Sequence, residues 1–375
     1  MNGSITDDAV PGSNGQAEPS PEAMQAQLRE ELDALIARVE QTSQYEPPPY
    51  SPQALLKLLE ENAARFQPEF LKSVLTSLRE NVNADLLDVD TWKGIWYIVN
   101  YQLQAQADTV RRRAQGEYET DEWGLDPEFI SAAQPFLSFM YRTYWRVETS
   151  GLDNVPAEGP ALLTCNHSGQ LPWDGAMVGT AVYLDHPAQR IVRSLYATWF
   201  PTLPFISATL TKMGQALATV DNGTRLLQEG HLVAVFPEGY KGVGKLFRDR
   251  YRLARFGRGG FVKMALRTGA PIIPVSVVGA EETYISLHKS QTLARLIGFP
   301  YFPISPTFPW LGPIGFIPLP TKWYIDFGKP IETASYGAAA ANNLVLVSQL
   351  TDQVRNVVQD MIHQRLAERR SVFRG

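Results

Sequence analysis

A layered α/β domain with a mixed, largely parallel sheet, preceded by a helical N-terminal region, is the architecture this chain predicts. Three observations point to it. From about residue 144 onward, short apolar runs alternate with helical patterns, whereas the preceding segment shows helical periodicity only. A hydrophobic content of 44% over 375 residues is ample for a buried core. No apolar run approaches the roughly 18 to 20 residues that a membrane-spanning helix requires.

Residues 1–20 are rich in Gly, Ser, Pro and acids and poor in large apolar side chains, the composition of a disordered tail. A helical region is expected over 21–142. Met24, Leu28, Leu32, Leu35, Ile36 and Val39 recur at helical spacing before the Pro47-Pro48-Pro49 linker, and Ser51-Pro52 reads as an N-cap followed by proline at the first helical position. Two later helices carry aromatic stripes. Trp92, Ile95, Trp96, Val99 and Leu103 form one, and Phe129, Phe136, Leu137, Met140, Tyr141 and Tyr144 the other. Such stripes suit either a core or a membrane interface, since Trp and Tyr join apolar rings to polar tips.

Strands are expected at Trp145–Thr149, Ala161–Cys165, Ile191–Tyr196, Leu232–Phe236, Ile272–Val278 and Trp323–Phe327, within a domain spanning 143–335. The stretch Phe299–Pro320 interleaves seven prolines with large apolar residues and is neither helix nor central strand. It forms either an apolar cover over the core or a lipid contact. Over 336–375 the side chains of Val347, Leu350, Val354, Val357, Met361 and Leu366 describe a helix packed on that domain.

A single cysteine, Cys165, excludes an internal disulfide framework and a multi-cysteine metal site. The net charge of −5 excludes affinity for nucleic acid, but residues 241–267 hold nine cations against one acid, Asp249. The N-terminus carries no secretion signal, and Asn2 stands where myristoylation needs glycine, so a cytoplasmic protein peripherally associated with membrane is expected.

Asn166-His167 follows the run ending at Cys165, and Asp174 comes seven residues after His167. A histidine at the carboxyl end of a strand, where open α/β sheets bind ligands, with a carboxylate to orient it, is equipped to take a proton from an alcohol. Cys165 is the rival nucleophile, with a small buried apolar residue as its plainer reading. Gly239–Lys245 has the spacing of a phosphate-binding P-loop, but Leu246 stands where Ser or Thr would meet magnesium. In the basic tract a solvated face accounts for about half of the cations, and Lys241 and Arg248 are singled out over the rest as acceptor-binding.

These segments resemble, in order, the motifs of the glycerolipid acyltransferases. Asn166-His167 with Asp174 matches the first motif, although most members have four residues between His and Asp and this chain has six. Met213–Asn222 corresponds to the second without its frequent Arg. Phe236-Pro237-Glu238-Gly239 matches the third, followed by Tyr240-Lys241 where many members have Thr-Arg, and Ala270–Val275 matches the fourth. The resemblance implies His167 as general base, Asp174 as its partner, and Asn166, Glu238, Gly239 and Pro271 among the substrate-binding residues. It implies acyl-CoA or an acyl carrier protein thioester as co-substrate, with no cofactor. The acceptor it implies is a lysophospholipid such as lysophosphatidate, which would suit the basic tract. A neutral glyceride or another lipid alcohol is the alternative, and so is an inactive lipid-binding protein.

Overall fold

A computed structural model describes residues 120–197, 206–290, 294, 302–310, 315 and 317–374. The expected tail at 1–20, the helices before residue 120 and the Trp92 and Trp96 stripe lie outside the described residues.

The helices are α1 (Pro127–Phe139), α2 (Trp173–Asp185), α3 (Ile206–Lys212), α4 (Val220–Gln228), α5 (Tyr240–Val243), α6 (Gly260–Thr268) and α7 (Leu344–Glu368). The strands are β1 (Glu148–Ser150), β2 (Ala161–Cys165), β3 (Val192–Tyr196), β4 (Ala216–Leu217), β5 (Leu232–Val235), β6 (Ile272–Val278), β7 (His288–Lys289), β8 (Pro303–Ile304) and β9 (Tyr324–Phe327). Seven strands make one sheet in the order β1-β9-β6-β2-β5-β3-β4. From β6 to β4 every neighbouring pair is parallel, while β9 runs antiparallel to β6 and carries β1 alongside it in parallel. The mixed, largely parallel sheet is therefore present.

Its centre explains the sequence pattern. β2, β5 and β6 are buried along their whole length, so they read as continuous apolar runs without alternation. Two apolar layers cover the sheet. On one side Leu226, Phe261, Val262, Leu266, Val354 and Val358 belong to the cluster that α4, α6 and α7 build. On the other, Met140, Tyr141, Met177, Val178, Ala181 and Trp323 form a second cluster, against which Phe136, Leu137 and Phe139 of α1 pack.

Two expectations are adjusted. The first strand begins at Glu148, because α1 continues into a π-helical turn, Met140–Tyr144, and Trp145 leaves it to stack on Trp323 at a centroid distance of 4.4 Å. In α7 the buried stripe runs through Val347, Leu350, Val354, Val358 and Ile362, while Val357 and Met361 lie half-buried beside it. The i+4 steps of a 3.6-residue helix follow the first set. α1 and its π turn pack on α2 and help fill a core layer of the sheet. Of the Pro-rich stretch, the described part supplies β8, paired with β7 in a separate two-stranded sheet.

Candidate active site

Parallel strands β2 and β5 end side by side, Thr164 opposite Val235, so the residues that follow them emerge at the same sheet edge. This register brings His167 and Glu238 together although 71 residues separate them. Open parallel sheets present ligand sites at this end because the chain leaves each strand there as a loop.

Asn166 is fully buried and pairs twice with the backbone of Val277 on β6, its Nδ2 donating to the carbonyl at 3.0 Å and its Oδ1 accepting from the N–H at 2.7 Å. It extends the sheet by one rung and fixes the backbone from which His167 projects. Nδ1 of His167 lies 2.7 Å from Oδ2 of Asp174. The six intervening residues fold back so that α2 starts at Trp173 and its first turn offers Asp174 to the ring. The same Oδ2 accepts from the Ser168 N–H at 2.8 Å, and Oδ1 accepts from the Gly175 N–H at 2.8 Å. A fully buried carboxylate held by these bonds is an anchored orienting group. With Nδ1 donating to Asp174, Nε2 carries the lone pair. Phe236 packs on the other side of the ring, at a centroid distance of 4.7 Å.

Glu238 does not face open space. Its Oε1 accepts from the His167 N–H at 3.0 Å and its Oε2 from the Ala254 N–H at 2.6 Å. Nζ of Lys245 sits 3.2 Å from Glu238 Oε2 and 2.8 Å from Glu281 Oε1. Glu281 also accepts from the Tyr251 N–H at 2.8 Å. Burial pushes the Glu281 carboxyl up to about 7 even against the pull of Lys245. Burial opposes charge on Lys245 too, but Glu281 and Glu238 outweigh it and raise its pKa. Lys245 is thereby committed to two carboxylates, which removes the P-loop reading of Gly239–Lys245.

Gly239, at φ 57° and ψ −147°, adopts a backbone conformation that side chains disfavour and turns the chain into α5. Gly242 then approaches the histidine. A Cβ there would lie 2.7 Å from Glu238 Cβ, 2.8 Å from the His167 carbonyl oxygen and 2.9 Å from His167 Cβ.

His167 stands in the wall of a cavity of about 760 Å³, within the usual size range of small-molecule sites. On α2 the lining residues Gly175, Ala176, Gly179, Thr180, Tyr183 and Leu184 follow a one-sided helical repeat. α1 contributes Ile130 and Leu137, and the Pro-rich stretch contributes Phe302, Pro303 and Phe308. That stretch therefore acts in part as an apolar cover. Beside it Leu287 and Trp310 are 59% and 60% exposed.

Of the expected site residues, Gly239 joins His167 in the cavity wall. Asn166, Asp174 and Glu238 support the histidine from within the fold. Lys241 and Arg248 are exposed and do not line the cavity, and Arg248 Nε lies 3.7 Å from Asp249. Pro271 precedes Ile272, which pairs with Leu162, so it sits at the opposite end of the sheet, about 20 Å from His167 by strand rise. The matched motif there supplies the central strand rather than a wall of the cavity. Cys165 is fully buried between β5 and β6, and burial holds its thiol far above the usual range, which leaves it no nucleophilic role. Lys245 and Glu281 were not singled out from the sequence. The signal for Lys245 was its place among cations immediately after Glu238, but no periodicity shows which one turns inward. Among the described residues, no three His, Cys, Asp or Glu side chains cluster as metal ligands.

A model of the acyltransferase family matches residues 146–278. An uncharacterized protein of Mycobacterium tuberculosis is 50% identical over 274 residues, covering 73% of this chain and 76% of that protein. A counterpart from Mycobacterium leprae is 50% identical over 274 residues, covering 73% and 75%. The bovine protein named DGAT1/2-independent enzyme synthesizing storage lipids is 24% identical over 221 residues, covering 58% of this chain and 60% of its own. Among solved structures, the 1-acyl-sn-glycerophosphate acyltransferase PlsC of Thermotoga maritima aligns with a TM-score of 0.45 at 15% identity, covering 75% of this chain and 94% of that one.

Proposed function

The chain belongs to the acyltransferase family, and from that premise we propose that it moves a fatty acyl group from a thioester to the hydroxyl of a lipid, with His167 as general base. The observation that carries this reading is His167 in the wall of an apolar cavity, with the buried carboxylate of Asp174 2.7 Å behind its Nδ1.

The acceptor hydroxyl approaches Nε2 of His167, which takes its proton as the oxygen attacks the thioester carbonyl. Asp174, bonded at Nδ1, holds the ring and stabilises the imidazolium. When the tetrahedral intermediate collapses, the C–S bond breaks and the proton on Nε2 passes to the departing thiolate. The ester and the free thiol leave, and no bond to the protein forms. General base catalysis of this kind is worth typically about 100- to 10,000-fold. The cavity takes the acyl chain, each methylene removed from water contributing about 0.8 kcal/mol. The donor is acyl-CoA or an acyl carrier protein thioester.

Peripheral membrane association is part of the proposal. No helix among the described residues is long and apolar enough to cross a membrane, while the exposed Leu287 and Trp310 lie beside the cavity's Pro-rich wall. The test is thiol release from an acyl-CoA in the presence of lipid alcohols. Acceptor-dependent release that disappears in His167→Ala supports the mechanism; equal release by folded His167→Ala refutes it.

A further inference from the structure

The acyl-transfer reading leaves the acceptor open, and the charge arrangement around His167 narrows it. Resting on that reading, we propose that the acceptor is a neutral lipid alcohol, a mono- or diacylglycerol or a comparable uncharged alcohol, and not a lysophospholipid with a phosphate next to the reacting hydroxyl.

In lysophosphatidate the hydroxyl oxygen and the phosphorus are separated by two carbons and one oxygen, about 4 to 5 Å at ordinary bond lengths. A hydroxyl placed on His167 would therefore put the phosphate close to the base, where it needs a cation. Among the described residues the cavity wall contains no Lys, Arg, Asp or Glu. Its polar side chains are neutral, Gln134, Gln170, Thr180, Ser194 and Gln215 among them, and these suit the hydroxyl and ester oxygens of a glyceride.

The cations of the basic tract do not supply the missing charge. Lys245 turns inward but is held between Glu238 and Glu281. Lys241, Arg248, Arg252, Arg255 and Arg258 are exposed and contribute nothing to the wall. The groups packed around His167 lean the other way. Asp174 and Glu238 set two carboxyl groups on His167, and the one ammonium nearby, Lys245, is shared between Glu238 and Glu281. A phosphate entering here would lose hydration without gaining a counter-charge and would face anionic groups behind the base. An uncharged glycerol end needs only hydrogen bonds.

The experiment uses the full chain with palmitoyl-CoA as donor. Monooleoylglycerol, dioleoylglycerol and oleoyl lysophosphatidate are offered separately in the same detergent micelles, with thiol release and ester product both measured. The expected result is a kcat/KM for at least one neutral acceptor about tenfold or more above that for lysophosphatidate. Equal or better use of lysophosphatidate overturns the proposal, most directly if that use is lost in Lys241→Ala. Absence of thiol release with every acceptor, from folded protein given both coenzyme A and carrier-protein thioesters, refutes acyl transfer itself. The two failures are thus told apart.

Discussion

Replacing Gly242 by alanine tests the active-site geometry at its tightest point. An added Cβ would stand 2.7 to 2.9 Å from Glu238 Cβ, the His167 carbonyl oxygen and His167 Cβ. Ordinary contact begins at 3.4 Å, so these neighbours must open by about 0.5 to 0.7 Å. None of the three atoms is the far end of a flexible side chain, so the strain passes to the histidine backbone and to the Glu238 bond that fixes it. Misplacement by about 1 Å at a reacting centre can cost 100-fold in rate, so a kcat loss of about 10- to 100-fold is expected for Gly242→Ala. Overpacking costs about 1 to 3 kcal/mol of stability, partly offset by roughly 1 kcal/mol from the better helix propensity of alanine. The assay is steady-state thiol release at saturating donor and acceptor, paired with thermal unfolding to verify the fold. A folded Gly242→Ala protein with a kcat within about twofold of the parent would show that the approach of α5 does not set the position of His167.

Asp174→Asn should lower kcat by about 100- to 10,000-fold with little change in KM, because an amide can favour the wrong imidazole tautomer; unchanged kcat would remove Asp174 from the mechanism. At Gly179, where a Cβ meets nothing within 4 Å, leucine fills cavity space without a backbone clash, so Gly179→Leu should shift donor preference to shorter acyl chains. An unaltered chain-length profile would place the acyl chain elsewhere. Because burial raises the Glu281 carboxyl to about 7, the folded protein keeps a proton that the unfolded chain releases near 4.5. Its contribution to stability is therefore full below pH 4.5 and is lost as pH rises through about 7, a swing of about 3 kcal/mol. Denaturant unfolding of Glu281→Gln should show a correspondingly flatter pH dependence across that window, and curves parallel to the parent would refute the assignment. Leu287→Ser with Trp310→Ser should reduce sedimentation with anionic liposomes; unchanged binding would move the lipid-facing surface elsewhere.

Much of the fold was legible because its central strands are buried on both faces. The runs Ala161–Cys165 and Ile272–Val278 match β2 and β6 in both boundaries. Trp145 was harder to place, since an aromatic residue at a strand-like position serves equally well in a stack, and Trp323 decided the matter from far along the chain. The cations after Glu238 show the same limit. They share one local composition, yet Lys245 is half-buried between two carboxylates while Lys241 and Arg248 are exposed.

The sequence by itself determined the class of fold, the buried central strands and the candidate histidine with its carboxylate. Those features follow from apolar periodicity and from residue types whose chemistry is intrinsic. Tertiary structure alone decided that the six-residue spacer folds back to seat Asp174 on His167, that Glu238 braces the histidine backbone, and that the described residues of the cavity wall are uncharged. Each of these depends on which side chains from distant segments share one small volume, and that is set by the parallel pairing of β2 with β5 and by burial energies that local patterns do not contain.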